Sequence, residues 1–359
     1  MKYFITFCSL VFMACNFPQT TSTKQDWTFP NFVKQDSVNP ILFPDTNYRF
    51  NCPVSNKQVL WQSKNVLNPT AFIKEGKVYL LYRAQDSAMT SRLGLAISED
   101  GIHFTKQATP IFYPAKDSLE KYEWHGGVED PRIVSTEDGG YFLTYTSYDG
   151  KTARLCFATS KNLLKWEKHG PLLKNENYIN AWSKSGALVV EQKADQMVAK
   201  KINGKYWMYF GDTQLFMAYS EDLIHWEPLE NKESQKLIAV LHPRAGYFDS
   251  RLVEPGAFAL YTKKGILLIY NSSNAANNND PNLPIYTYSA GQALFDTIQP
   301  FKLIDRTQQY FIHPDKPYEK TGEVNEVCFV EGLVYFKKKW FLYYGTADSK
   351  IAVAIANSR

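Results

Sequence analysis

Glu75-Gly76-Lys77-Val78-Tyr79-Leu80-Leu81-Tyr82 reads as a tight turn feeding an aromatic-rich strand, and the pattern returns four more times. The later strands are Tyr141-Phe142-Leu143-Thr144-Tyr145, Tyr206-Trp207-Met208-Tyr209-Phe210, Ile266-Leu267-Leu268-Ile269-Tyr270 and Trp340-Phe341-Leu342-Tyr343-Tyr344. Their last residues stand about 60 to 75 positions apart, a supersecondary period. Each follows a Gly- or Lys-rich turn, and each turn follows another short apolar strand, so every unit holds a hairpin. A further strand closes alike in three units, at Ala96 to Phe104, Ala158 to Trp166 and Ala218 to Trp226, and more loosely at Thr287-Tyr288-Ser289 and Ala352-Val353-Ala354. Five four-stranded units with no long helical period predict an all-β chain folded as a five-bladed β-propeller. A sandwich is the alternative, but it implies no fixed long period. Phe104, Trp166 and Trp226 then read as aromatics packing the sheets, not as ligand platforms.

Around this repeat, 359 residues suffice for one large β domain or two ordinary ones. The +4 balance is mild and no block of five or six like charges occurs, which argues against nucleic acid as a partner. Aromatic residues at 15% suit carbohydrate, because flat rings stack on sugars. Lys2 followed by the apolar run Tyr3 to Ala14, ending Phe12-Met13-Ala14-Cys15, resembles a bacterial lipoprotein leader. Residues 1–15 are thus expected as signal peptide and Cys15 as a lipid anchor to the cell envelope. Phe12 departs from the usual Leu, which keeps plain secretion open. Residues 16–24 read as a flexible tether and 25–359 as one catalytic domain. Its residues 25–60 are expected to wrap the first unit, and Asn274 to Pro284 to form a rim or lid. The remaining Cys52, Cys156 and Cys328 cannot all pair, so no disulfide framework is implied, and Cys156 reads as a small core residue. No CxxC, HExxH or other metal-ligand spacing occurs, so no metal or cofactor is called for.

The most distinctive polar stretch is Trp124-His125-Gly126-Gly127-Val128-Glu129-Asp130-Pro131-Arg132-Ile133. Pro131 biases Asp130 toward extended backbone, and the pleat then puts Arg132 on Asp130's side. Alone, this would be a surface turn with a local ion pair. The repeat aligns it with the openings of the other innermost strands: Asn68-Pro69, Lys184-Ser185-Gly186, Glu254-Pro255-Gly256 and Glu331-Gly332. Antiparallel return of each second strand adds Arg83, Ser147, Asp212, Asn271 and Asp348 at the same mouth. Asp130, Asp212, Glu254 and Glu331, with Arg83, Arg132 and Lys184 between them, predict a polar site for a small hydroxyl-rich ligand. Opposed carboxyls are what glycoside cleavage needs: one delivers a proton to the leaving oxygen, the other attacks or activates water. Taken singly, Glu254 or Glu331 could instead bond sheet amides.

Asn68-Pro69, Leu81-Tyr82-Arg83-Ala84, Gly127 to Ile133, Lys201 to Trp207 and Tyr343-Tyr344-Gly345-Thr346-Ala347-Asp348-Ser349 resemble glycoside hydrolase family 130, from about residue 60 to the C-terminus. The resemblance implies a five-bladed propeller acting on β-mannosides, as an inverting phosphorylase or as a hydrolase of β-1,2-mannosides. It implies Asp130 as general acid, working in the phosphorylases through a sugar hydroxyl. Arg83 and Arg132 would bind substrate, or phosphate where phosphate is used. Trp124, His125, Glu129, Asn68, Lys184, Arg251, Asn271 and Asp348 complete the expected binding set. Two departures favour water over phosphate: Glu254 and Glu331 stand where the phosphorylase pattern is uncharged. The expectation is an inverting hydrolase with Glu254 as base and Glu331 or Asp212 as contenders. Phosphorolysis through Lys184, Arg251 and Arg244, or a non-catalytic glycan-binding lipoprotein, are the alternatives. An arabinofuranosidase-like propeller would want Asp where Asn68 stands.

Overall fold

The computed structural model describes residues 25–358. The expected leader and tether, with Cys15, lie outside the described residues. The chain is almost entirely β, with two single-turn helices at Glu120–Glu123 and Pro317–Lys320. Among the described residues its long strands hydrogen-bond into five antiparallel meanders. The first runs through Asn65–Lys74, Lys77–Gln85, Ser91–Ser98 and Thr105–Lys106, the second through Gly127–Ser135, Tyr141–Tyr148, Ala153–Ser160 and Glu167–Pro171. The third joins Ala187–Lys193, Lys205–Phe210, Phe216–Ser220 and Glu227–Pro228, and the fourth Leu252–Thr262, Gly265–Ser273, Tyr288–Phe295 and Leu303–Arg306. The fifth joins Cys328–Phe336, Lys339–Thr346 and Lys350–Asn357.

The fourth strand of the fifth meander comes from the other end of the chain. Val33–Lys34 pairs with it antiparallel, Val33 opposite Ile355 and Lys34 opposite Ala354. The segment expected to wrap the first unit thus serves the fifth as well. An uncovered final strand would expose a ladder of unpaired amides, and the N-terminal segment satisfies them. Further on, Ile41, Tyr48, Phe50 and Val59 pack on a core shared by Leu80, Tyr82, Tyr343 and Val353, which seams the fifth meander to the first.

First strands of the meanders pack side by side in a closed circuit: the first against the second and fifth, the fourth against the third and fifth, the second against the third. Small residues let them approach. A Cβ on Gly332 would come within 3.0 Å of the Pro69 carbonyl, and one on Gly256 within 3.3 Å of the Val330 carbonyl. Near the opening of four first strands the register slips, at Leu67/Pro69, Glu129/Arg132, Pro255/Ala259 and Val330/Gly332. Each slip is a bulge that bends the strand and re-aims a side chain. Asn68, Asp130 and Ser185 stand at φ of 47°, 47° and 54°, left-handed backbone that costs a non-glycine residue about 1–3 kcal/mol and gathers at functional sites.

A buried polar staple explains why the second strands end in tyrosine. Opposite Ala96, Ala158, Ala293 and Ala354 on the third strands stand Lys106, Lys168, Arg306 and Lys34 on the fourth. Each cation reaches an acceptor lying ahead of the first strand: Gln62 at 3.1 Å, Glu123 at 2.6 Å, Asp249 at 3.4 Å and Glu319 at 2.7 Å. The same acceptors receive the hydroxyls of Tyr82 (3.2 Å), Tyr145 (2.9 Å), Tyr270 (2.8 Å) and Tyr344 (2.9 Å). In the third meander Phe210 takes the tyrosine's place, and Pro228 stands opposite Ala218 where a cation would be. Of the aromatics read as packing residues, Trp226 is buried in the main core, while Phe104 and Trp166 pack partly buried on theirs. Cys52, Cys156 and Cys328 are buried free thiols.

Candidate active site

The bulges bring Asp130 to the middle of a charged cluster. Its Oδ1 accepts from Asn68 Nδ2 at 2.6 Å and from Arg83 Nη1 at 3.0 Å, and Lys184 Nζ lies 3.5 Å from Oδ2. Arg83 also donates to Glu129 at 2.6 Å and to Ser91 at 2.9 Å, and Ser91 donates to Glu129 at 3.2 Å. Glu254 is held by the Ser185 hydroxyl. Five residues of the expected site, Asn68, Arg83, Glu129, Asp130 and Lys184, are therefore joined by direct contacts, and Glu254 shares their field.

Electrostatics separates the carboxyls. Burial pushes Asp130 up, but Lys184, Arg83 and Arg132, with the Asn68 amide, outweigh it and hold the group well below the usual carboxylate range. Burial pushes Glu254 to about 7, with the charges of Asp130 and Asp212 adding to the rise against Lys184 and Arg132. Glu129 is raised by burial and by Asp130, against Arg83 and Lys184. Burial and Asp130 also lift Asp348 to about 6, against Arg83. Lys184 is held protonated: burial lowers it, but Asp130, Glu254 and Glu129 more than compensate.

Other predicted residues lie beneath or beside this cluster. Arg132 is a brace: Nε donates to Gly256 O, Nη1 to Asp130 O and Nη2 to Pro255 O, each at 2.9 Å, tying the second meander to the fourth. Glu331 lies under it, 2.9 Å from Nη2 and 0% exposed, and burial raises its carboxyl well above the ordinary value. Asn271 is likewise 0% exposed and closes on the Val330 backbone, donating at 2.9 Å and accepting at 2.7 Å. Both are buried, Arg132 at 2% and Asn271 at 0% exposure. Asp212 stands at the rim, where the Trp182 indole donates to it at 2.6 Å. Arg251 is exposed and stacks on Tyr286 at 5.1 Å. Trp124 and His125 are joined by a cis peptide bond, and His125 lies against Gly150. Asn274 anchors the segment expected as rim or lid to itself, donating to the carbonyls of Asp280, Leu283 and Pro284. Among the described residues no group of acidic, His or Cys side chains is placed to hold a metal.

Ser91, Ser185, Trp182 and Tyr288 were not among the predicted set. Ser185 shares the left-handed bulge of Asn68 and Asp130, so aligning the openings more strictly would have found it. The half-buried Tyr288 phenol feels Arg251, Glu254, Asp348 and Lys184 together. Nothing in the sequence marks it apart from other strand tyrosines.

A family model described as beta-1,4-mannooligosaccharide phosphorylase matches residues 33–359. The chain belongs to glycoside hydrolase family 130. A 1,2-beta-oligomannan phosphorylase of Thermoanaerobacter sp. in this family is 33% identical over 334 residues, 90% of this chain and 96% of that one. Among solved structures, a glycosyl hydrolase from Bacteroides ovatus superposes with a TM-score of 0.90 at 44% identity, over 92% of this chain and 95% of its own. Another is described as showing that the family of mannoside phosphorylases contains glycoside hydrolases that target beta-1,2 mannosidic linkages in Candida mannan. It too has a TM-score of 0.90 at 44% identity, with 92% and 95% coverage. Family 130 thus joins phosphorylases and hydrolases of mannosides, and this chain resembles both kinds.

Proposed function

We propose that this family 130 chain is a five-bladed propeller that hydrolyses β-mannosides, β-1,2-linked ones first, with inversion. The closed circuit of first strands supports the blade count, each meander being one blade. The observation that carries water over phosphate is that the buried cations are already committed. Arg83 pairs with Glu129 and Asp130, Arg132 with Glu331 and Lys184 with Asp130. A phosphate dianion would have to displace those carboxylates and meet Glu254 besides. The solved hydrolase neighbours at 44% identity point the same way.

In this mechanism Glu254 takes a proton from water, whose oxygen attacks the anomeric carbon from the face opposite the leaving sugar. It is preferred to Glu331 because Glu331 is 0% exposed and Glu254 5%. In the empty site Asp130 holds no proton. Acid catalysis through it begins with proton uptake as the sugar enters. A sugar hydroxyl that displaces Arg83 or Lys184 from its oxygens weakens the pull that keeps it ionised. The proton then passes to the leaving oxygen, directly or through that hydroxyl. The leader expected at residues 1–15 would export the protein to the cell envelope, where a sugar phosphate would be lost to the cell.

Arg251, exposed at the mouth and without an ion-pair partner among the described residues, favours phosphorolysis as second reading. The test is product analysis on β-1,2-mannobiose with inorganic phosphate varied. Free mannose at a rate independent of phosphate is expected. Turnover that requires phosphate and yields mannose 1-phosphate would replace hydrolysis by phosphorolysis.

A further inference from the structure

Four large apolar side chains crowd one short stretch at the outer edge of the fourth meander. Ile298, Phe301, Leu303 and Ile304 are all exposed, Ile298 by 68% and Ile304 by 52%, with Lys302 exposed among them. The rest of the sheet is well covered: all nine residues of its second strand are buried. An apolar patch left open on such a sheet marks contact with something outside the chain. The register places it. Leu303 stands opposite Phe295, and Phe295 opposite Ile266, whereas Glu254 stands opposite Asn271. Asn271 lies five positions beyond Ile266. The patch is therefore about 17 Å down the sheet from Glu254, at the end remote from the mouth. Asn203 donates to the Ile298 carbonyl at 3.0 Å and the Tyr209 hydroxyl to the Pro300 carbonyl at 2.6 Å, which hold the stretch against the third meander.

Where the chain enters the fold indicates what covers the patch. The Gln25 amide donates to Asp305 Oδ2 at 2.9 Å, the Trp27 indole donates to the same oxygen at 2.9 Å, and Asp26 pairs with Lys264 at 2.6 Å. Asp305 follows Ile304 directly, so the first described residues join the ring beside the patch. Ten positions separate Gln25 from Cys15, the residue expected to carry lipid. Ten residues reach about 35 Å at most. A compact domain of this length is about 50 Å across. A lipid at Cys15 therefore keeps this side of the ring within reach of the bilayer, and the patch is the surface there that gains by leaving water. We propose that the far end of the fourth meander rests on the membrane, with Ile298, Phe301, Leu303 and Ile304 among the headgroups, so that the mouth holding Asp130 and Glu254 opens away from the bilayer. Lys302 suits that depth, its stem lying with the apolar groups and its ammonium at the lipid phosphates. The proposal rests on the lipid anchor expected at Cys15 and not on the mannoside reading.

The test uses the lipidated chain in vesicles of phosphatidylethanolamine and phosphatidylglycerol that carry a nitroxide-labelled phospholipid, which quenches an NBD fluorophore at short range. The fluorophore is attached to Gln299→Cys, within the patch, or to Asn277→Cys, on the segment joining the mouth ends of the second and third strands of the same meander. Both positions are exposed, and Cys52, Cys156 and Cys328 are buried. Quenching at Gln299→Cys is expected to exceed that at Asn277→Cys at least threefold. Adding Ile304→Asp to Gln299→Cys should at least halve its quenching, with mannobiose turnover and the unfolding midpoint unchanged. Equal quenching at the two positions, or the greater at Asn277→Cys, overturns the proposal. So does mass spectrometry that finds no lipid on Cys15. A dimer in solution that Ile304→Asp dissociates would overturn it as well, because a second copy would then cover the patch.

Discussion

Asp130 and Glu254 both sit in the field of Lys184 and both are buried, yet they hold protons with opposite strength. Asp130 has cations and an amide directly on its oxygens, whereas Glu254 has a serine hydroxyl and two carboxylates acting at longer range. If Asp130 is the acid, Asp130→Asn should lower mannobiose turnover by about 10²–10⁴. It should lower turnover of β-mannosyl fluoride far less, because fluoride leaves without a proton, and equal losses on both substrates would remove the acid role. If Glu254 is the base it must be ionised, so kcat/KM should rise as pH passes about 7. A limb that falls there would instead make Glu254 the acid. Stability gives a separate reading. The folded value of about 7 lies above the ordinary 4.5, so stability from this group is complete below the lower value and is lost as pH rises through the higher. Two and a half units correspond to about 3 kcal/mol. Glu254→Gln should therefore gain on wild type by up to that amount between pH 4 and pH 8 in urea unfolding, and a constant difference would refute the shift.

Meanders are held internally by the staples, whose strength depends on the acceptor. Tyr270 donates to the Asp249 carboxylate, which Arg244 also holds at 2.9 Å, while Tyr82 donates to the neutral Gln62 amide oxygen. Hydrogen bonds to charged partners contribute about 1.5–3 kcal/mol and neutral ones about 0.5–1.5. Tyr270→Phe should thus destabilise more than Tyr82→Phe, by about 1 kcal/mol in chemical denaturation, and the reverse order would show that the ion pair needs no phenol. The tyrosines were visible in the sequence as the ends of aromatic runs. Their partners were not, because Gln62 and Asp249 lie in irregular connections and Glu123 and Glu319 on single-turn helices, at unequal distances ahead of their strands.

At the scale of the whole molecule, the ring is closed by a strand from outside the repeat. Lys34 both pairs with the last strand and supplies the cation for Glu319, which is 0% exposed. Lys34→Met would leave that buried carboxylate with Tyr344 and backbone amides only, at a cost of about 3–5 kcal/mol. Because the first and fifth meanders share a core, the loss should appear as a lower midpoint of one cooperative unfolding transition. Separate melting of the fifth meander would contradict a seamed ring.

The periodic aromatic runs, the turns between them and the polar openings Asn68, Asp130, Lys184, Glu254 and Glu331 follow from the amino-acid order alone, because strand pleat and hairpin pairing are local consequences of it. Where the carboxyls sit in acidity, which of them reach solvent, and that Arg132 and Asn271 brace strands through backbone groups were decided by the tertiary structure. So were the destination of residues 33–34 and the apolar patch at the far end of the fourth meander. Burial and charge coupling are sums over neighbours hundreds of positions apart, and no window of sequence contains those neighbours.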